Sequence, residues 1–531
     1  MTSCPSPCRA CKSPPSAPVS RHLLNDGWPG AAPGRTRRPG RAVRVSAVRR
    51  SLAYSLADSY LGIVLQLATT AIISRLLSPT EIGIFAVAAV LAALASTFRD
   101  FGVAEYLIQE KSLTPEKIRA AFAANLIVSW AMAILLFASS GMAADFYRQP
   151  GVAEVMRIQS INFVLIPFGA VTMAYFRREL NFRPMFVAGL LANITMFAVA
   201  NTAALMGVGY LSMAWSSLAG VVVTVATSII MRPKDFPSMP SLRGIGVVAR
   251  FGKHASGIYL FGQVGKSAPE AVIGRALDMA SVAFFSRANA LIEIFSRTVL
   301  RAVLPLCLPY FATAAREGRD PKVGYLRATA MLTGIGWPFF VVMGAAAYST
   351  IRLLYGGQWV DAVPLAQVLC LAAMLELPYY LAKEALIAAG RVDRSNLLQF
   401  LVQGLRLCGL VLVVPYGLAG ACWGLVVAAA AGGITAQVFL HRTIGLGVLD
   451  LARSSSSSVL VTVACGAPVW LAAAWLGQDD SNYVRMLAIA GASAGPAWIA
   501  SLWAFDHPLW RELKGLADKA LLKLRRGSGS A

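Results

Sequence analysis

Beyond residue 50 the sequence is a succession of apolar runs, each long enough to cross a bilayer, separated by breaks too short to fold on their own. A span needs roughly 20 mostly apolar residues to cover about 30 Å of hydrocarbon. Such spans are expected at 53–74, 81–97, 119–140, 154–176, 184–206, 210–231, 253–274, 280–303, 328–350, 362–382, 396–415, 417–440, 457–476 and 485–505. The breaks carry turn chemistry, as at Ser78-Pro79, Gln149-Pro150-Gly151, Arg183-Pro184, Arg232-Pro233 and Tyr416-Gly417. Only 14% of residues are charged and 57% are hydrophobic, against about 25% charged in a soluble protein. Too little polar surface exists to face water on all sides. The fold class expected is therefore all-α, a polytopic membrane protein.

The chain also repeats itself. The stretch 73–96, ISRLLSPTEIGIFAVAAVLAALAS, lies without a gap over 273–296. Identities fall at Ile73/Ile273, Arg75/Arg275, Leu77/Leu277, Phe85/Phe285, Ala88/Ala288, Leu91/Leu291 and Ser96/Ser296. In each copy an apolar run ends at an arginine, a short polar break follows, and a second run begins. Duplicated helical halves are how many transporters build a central site. The division expected is an N-lobe at 51–231, a cytoplasmic linker at 232–252, a C-lobe at 253–440 and two extra helices within 457–505. The two six-helix lobes form a parallel repeat.

The net charge of +22 would point to nucleic acid in a soluble protein, but its location argues otherwise. With the N-terminus inside, the side opposite the cytoplasm holds only Arg75, Arg148, Arg275 and Arg352, while the cytoplasmic segments hold most of the 48 Lys and Arg. Such asymmetry orients membrane helices and attracts anionic lipid. Both termini are expected inside, and nucleic acid is not an expected partner.

The two ends differ from the body. Residues 1–50 are basic, rich in Pro and without a long apolar run, the composition of a disordered tail; a translation start near 43–48 is the alternative. Cys4, Cys8 and Cys11 cluster there with only His22 nearby, too few ligands on too loose a frame for a metal site. At the other end, residues 508–526 place leucines and Trp510 opposite lysines and arginines, as in an amphipathic helix anchored on the inner leaflet.

Function is sought among polar groups that hydrocarbon penalises. A charge at the centre of a span costs about 2.5–3.5 kcal/mol, so it persists only with a partner or a wet cavity. The span at 280–303 carries Arg287, Glu293, Arg297 and Arg301. At roughly 100° per residue the three arginines share one face, Arg297 and Arg301 lying about 80° and 40° from Arg287. Glu293 is four residues before Arg297 and so placed to pair with it. Arg301, near the cytoplasmic end, could simply snorkel; Arg287, about two turns in, is read as cavity-lining. Lys266 and Glu270 are also spaced to neutralise each other. Asp58 and Gln66 lie in the first span, and Gln399, Gln403 and Arg406 lie along one face of the eleventh. Asp58, Glu270 and Glu293 are candidates for ion coupling or charge pairing, and Gln66, Gln399, Gln403 and Arg406 for cavity lining. Gln159, Asn162, Asn193 and Asn201 are read as bonds between helices. Pro167, Pro305, Pro309, Pro338 and Pro378 are positioned to kink their helices.

Other patterns carry no chemistry. GQVGKS at 262–267 resembles a phosphate-binding loop, but Leu260 stands where a Gly is required and no strand precedes it. Gly244 and Gly246 form an isolated pair. The histidines are scattered, and Cys307, Cys370, Cys408, Cys422 and Cys465 sit singly in spans. No cofactor, metal centre or ATPase is expected.

RLLSPTEIGIFAVAAVLAALASTFRDFGVAEYLIQEKSLTPEKIRAAF (75–122) resembles the N-terminal signature of bacterial oligosaccharide flippases. VAFFSRANALIEIFSRTVLRAVLPLCLPYFA (282–312) is similar to that family's eighth-helix segment. These belong to the multidrug/oligosaccharidyl-lipid/polysaccharide exporter superfamily, and the resemblance runs over roughly 51–442. It implies two six-helix lobes around a V-shaped cavity, in the bacterial cytoplasmic membrane. It implies as substrate a polyprenyl-pyrophosphate-linked oligosaccharide, moved from the inner to the outer leaflet for surface polysaccharide export, with polymerase and chain-length proteins as possible partners. Cavity arginines would hold the pyrophosphate: Arg287 first, then Arg297, Arg301 and Lys266, with Arg75 and Arg275 near the outer mouth. Rocking of the lobes would expose the cavity to each side in turn. A cation-coupled drug exporter of the same superfamily would call for acidic cavity residues, whereas the embedded charge leans cationic. A membrane-embedded glycan polymerase or ligase would need a large external loop. A scaffold would give embedded charge little reason to persist.

Overall fold

The computed structural model describes residues 60–99, 103–237, 239–477, 480–515 and 518, with backbone only over 249–261. The N-terminal unit Met1–Arg50 lies outside the described residues, so the expectations for the tail and its cysteines fall there, as does Asp58. The remainder forms one compact unit. Among the described residues it is helical, without strands.

The repeat is visible as backbone. Helix α1 (Tyr60–Leu76) is followed by α2 (Pro79–Arg99), and α10 (Ile245–Ala276) by α11 (Met279–Phe295). Both hairpins turn at equivalent positions, 200 residues apart, and capping residues explain why. Ser78 and Glu81 form a reciprocal cap, the Ser78 N–H and Oγ–H donating to Glu81 Oε2 at 2.9 and 2.7 Å. At the matching position Asp278 accepts from the Ser281 N–H at 2.7 Å. Pro79, at the first helical position, needs no N–H partner.

Between the hairpins run α3 (Val103–Gln109), α4 (Pro115–Ala138), α5 (Ser140–Tyr147), α6 (Pro150–Leu165), α7 (Pro167–Arg178), α8 (Phe182–Leu205) and α9 (Leu211–Ile230). After α11 a π-helical turn (Ser296–Leu300) leads into α12 (Arg301–Arg316), then α13 (Pro321–Ala345), α14 (Ala347–Tyr355), α15 (Ala362–Glu376), α16 (Ala382–Ala388), α17 (Val392–Val413), α18 (Gly417–Ile444), α19 (Val448–Leu476) and α20 (Tyr483–Ala504). Over the described residues, helices run through each expected interval. By length and hydropathy, 9 among the described residues are able to cross a membrane, and the pair α6–α7, bent by 52° at Pro167, makes a tenth. α1 is shorter over its described part, and α10 and α11 carry the polar residues that the site uses. α10 begins at Ile245, inside the expected linker, where Gly244 takes φ +84. Pro305, Pro309 and Pro338 lie within continuous helices, and Pro378 falls in a 3-10 turn between α15 and α16.

Expected helix-bridging amides hold in part. Asn162 on α6 donates to Gln159 at 2.6 Å and to Ser217 of α9 at 3.2 Å. Asn201 instead donates to Phe197 O within its own helix. Residues 508–515 are helical, with Leu509 packed against Val461, Cys465 and Leu502 and Glu512 paired with Arg327. This part therefore docks on the protein rather than on lipid alone.

The core joins both halves at one end. Ile73, Val87, Ala88, Ile273, Val282, Ala288 and Leu291 are all buried in a single cluster with Trp359. α2 meets α11 so closely that a Cβ on Gly83 would lie 1.8 Å from the Met279 carbonyl oxygen. That contact is backbone, so no rotamer relieves it. Gly83→Leu is accordingly expected to part the hairpins at this end. In a background with the native cysteines replaced, cross-linking of cysteines at 75 and 353 by a short bis-methanethiosulfonate reagent should fall several-fold; unchanged cross-linking would refute the close approach.

Candidate functional site

The hairpin end carrying Arg75 and Arg275 is sealed from the other half of the chain. The last carbonyls of α1 lack helical partners, and the segment after α14 supplies them. Trp359 Nε1 donates to Ser74 O at 2.7 Å, Gln358 Nε2 to Leu77 O at 3.1 Å, and Arg75 Nη2 to Leu353 O at 2.6 Å. Gly356, at φ +98, lies against the Arg75 side chain. Arg275 rests over the Phe146 ring at 5.1 Å. Neither Arg75 nor Arg275 lines the cavities below; both belong to the seal.

Beneath the seal lie two adjoining cavities of about 430 and 320 Å³, which share Thr70, Glu270, Ser286, Arg287 and Glu293 as walls. Arg287 is 9% exposed. Its guanidinium lies 5.4 Å from the Tyr355 ring centre and 5.3 Å from that of Trp359, which meets Phe284 edge-on at 5.6 Å. Among the described residues Arg287 has no carboxylate partner, and its buried Nε has no hydrogen bond. Cation–π contacts give about 0.5–2 kcal/mol each depending on desolvation. Two of them come close to the insertion cost of one embedded charge. The aromatic pair thus holds the cation without neutralising it.

The remaining candidates divide cleanly. Arg297 pairs with Glu293 at 2.7 Å, as its spacing indicates, and its Nη1 donates to Gln66 Oε1 of α1 at 2.7 Å, bridging the two halves. Both members are about half exposed, so the pair is worth little in stability. Lys266 and Glu270 do not pair among the described residues: Lys266 is exposed toward the cavity, and Glu270 sits beside the Ser286 hydroxyl. Arg301 is exposed and lines none of these cavities. The π turn at Ser296–Leu300 inserts in effect one residue, roughly 100° of rotation, between it and Arg287. The single-pitch reading that put three arginines on one face fails there.

A third cavity, of about 440 Å³, lies within the C-terminal half and shares Gln263 and Lys266 with the first. Gln399, Gln403 and Arg406 line it, with Glu376, Tyr379, Tyr380, Lys383 and Glu384. Arg406 Nη1 is 3.9 Å from Glu376 Oε1. Glu384 Oε2, Gln403 Oε1 and Arg406 Nε are buried without partners among the described residues, a cost of about 1–3 kcal/mol each unless water or ligand supplies a bond. The sequence reading missed Tyr355 and Trp359, which sit in a break between spans. It also missed Glu376, although an acid inside an apolar run is the signal used for Arg287.

Similarity to known proteins agrees with this architecture. A family described as "polysaccharide biosynthesis protein" matches residues 72–364, more than half the chain, spanning both stretches that carry the resemblance but ending short of 442. The chain is 25% identical over 340 residues to the succinoglycan biosynthesis transport protein ExoT of Rhizobium meliloti, covering 63% of this chain and 68% of that protein. It is 22% identical over 343 residues to the teichuronic acid biosynthesis protein TuaB of Bacillus subtilis, covering 62% and 69%. Its fold is similar to that of the lipid II flippase MurJ in an inward closed conformation, with a TM-score of 0.69 at 13% identity over 87% of this chain and 99% of that one.

Trp359→Phe keeps an aromatic ring near Arg287 but removes one of the two donors to the Ser74 carbonyl, leaving Gln358 Nε2 on it, a loss of about 0.5–1.5 kcal/mol. The sealed end should open more often, raising the maleimide labelling rate of a cysteine placed at Thr70; an unchanged rate would mean the indole hydrogen bond does not hold the seal.

Proposed function

The chain belongs to the polysaccharide biosynthesis protein family, and from that membership we propose that it is a flippase carrying a polyprenyl-pyrophosphate-linked oligosaccharide from the inner to the outer leaflet of the bacterial cytoplasmic membrane. The observation that carries this reading is Arg287, a buried guanidinium on the wall of a membrane-embedded cavity, held by ring faces and not by a carboxylate. A diphosphate cannot cross hydrocarbon bare. Arginine suits it because the planar fork bonds two oxygens and stays charged. Arg297 and Lys266, on the same walls, would assist at longer range, Arg297 once its hold on Glu293 relaxes.

The proposed cycle is alternating access between the halves. In this arrangement helices 1–6 and 7–12 of the expected spans rock about the hairpin contacts, with both termini in the cytoplasm and the sealed end outward. The seal then corresponds to an inward-directed state, and the segment 356–359 is the outer gate. The polyprenyl chain stays in lipid while the head group moves. Glu270 is the proposed coupling group, since Glu293 is already paired with Arg297, whereas Glu270 meets the Ser286 hydroxyl and forms no ion pair among the described residues.

Arg287→Gln should lower transport by about 10- to 100-fold, the loss of one charge-assisted contact. The check is the lipid extract of a strain lacking the gene. A polyprenyl-pyrophosphate glycan should accumulate there, to be cleared by the wild-type gene and not by Arg287→Gln; clearance by both would remove Arg287 from the mechanism. Glu270→Gln, assayed in proteoliposomes, should respond at least several-fold less to an imposed pH or Na⁺ gradient, and an undiminished response to both would exclude Glu270 as the coupling group.

A further inference from the structure

The cavity in the C-terminal half differs in chemistry from the one around Arg287. Its cations Lys383 and Arg406 stand with the anions Glu376 and Glu384, and Lys266 adds a third cation on the wall shared with the first cavity. A diphosphate seated away from Lys266 would meet two carboxylates, and a bare metal cation would contend with the lysines and the arginine. What the wall offers is a mixture of donors and acceptors at short spacing. Gln399 and Gln403 each bring both kinds. Glu384 Oε2, Gln403 Oε1 and Arg406 Nε are buried without partners among the described residues. Tyr379 and Tyr380 add ring faces.

The wall is also held in place by neighbours that give way to it. Gly265 of α10 leaves room for Gln403, whose Oε1 would be 1.9 Å from any Cβ there. Gly433 of α18 does the same for Tyr379, whose ring would be 2.9 Å away. At about 440 Å³ the cavity is within the size range of small-molecule sites.

From this juxtaposition we propose that the C-terminal cavity is a sugar subsite, taking one or two neutral pyranose units of the glycan nearest the diphosphate. Polyhydroxylated rings need alternating donors and acceptors around the rim and accept aromatic faces against their C–H surfaces. Gln263 and Lys266 stand on the wall common to this cavity and to the one bounded by Arg287. A single ligand with an anionic part and a neutral polyhydroxyl part therefore spans both chambers. The inference rests on the flippase reading above and sharpens it: Arg287 recognises the carrier, common to many glycans, while Gln399, Gln403 and their neighbours select the glycan.

The test is native mass spectrometry of the full-length protein in detergent, titrated with undecaprenyl diphosphate and, separately, with the lipid extract of the deletion strain. Gln403→Met and Gln399→Met keep side-chain volume and remove the donors and acceptors. Each should lower occupancy by the glycan-bearing lipid about tenfold while leaving undecaprenyl diphosphate bound as in wild type. Arg287→Gln should lower both. If the methionine variants retain wild-type occupancy by the glycan lipid, or lose both lipids together although they elute as folded protein, the sugar subsite is overturned. If wild type binds neither diphosphate lipid, the flippase reading fails, and the subsite with it. Gln403 is packed against Gly265 and Gln399 against no such backbone among the described residues, so the Gln399 variant decides the matter should Gln403→Met not fold.

Discussion

A guanidinium inside a bilayer must be compensated, and the manner of compensation decides what the cavity can do. A carboxylate partner would hold Arg287 firmly but cancel its charge, so that an incoming anion would have to displace it. Ring faces leave the charge intact. Trp359 and Tyr355 both lie on the Arg287 guanidinium, and Trp359 also donates to the end of α1. One side chain therefore touches the candidate anion site and the seal that closes the cavity.

In the proposed alternating-access cycle, that double contact would be the physical route for coupling. The energetic requirement for coupling is an element with two arrangements that both sites bias. Segment 356–359 satisfies α1 carbonyls only while the halves are together at that end. An anion that draws Arg287 away from the indole face weakens the support for that ring, and with it the buried bond to Ser74. The balance is fine because the contacts being exchanged are each worth only about 1–2 kcal/mol. The backbone contact of Gly83 with Met279 sets the opposite bias, since nothing larger than hydrogen fits between the hairpins in the closed arrangement.

The hairpins were the most legible part of the sequence. Ser78 and Asp278 are local capping signals, so matching positions in the repeat become matching turns without help from the rest of the chain. Arg287 was legible because a charge in an apolar run is conspicuous wherever its partner is. Arg301 was misplaced because a π turn is set by packing and not by composition, and one inserted residue rotates everything beyond it. Lys266 and Glu270 have a pairing spacing yet do not pair among the described residues, since spacing permits a contact without requiring it.

Tyr355 and Trp359 show where reading a single chain stops. Nothing local distinguishes a tryptophan that anchors a loop at the lipid interface from one that turns inward to cap another helix. The distinction is made by Ser74, more than 280 residues earlier. The same holds for the third cavity: Gln403 and Arg406 were visible on one face of a helix, but which side chains of the neighbouring span would meet them was not. Pro378 places a 3-10 turn inside the single span 362–388, and residues on both sides of that turn, Glu376, Lys383 and Glu384, line one chamber with Arg406. Proline withholds a backbone donor and so frees a carbonyl, which a wet cavity tolerates and hydrocarbon does not. The chamber is therefore a property of two helices placed against each other, and neither one announces it alone.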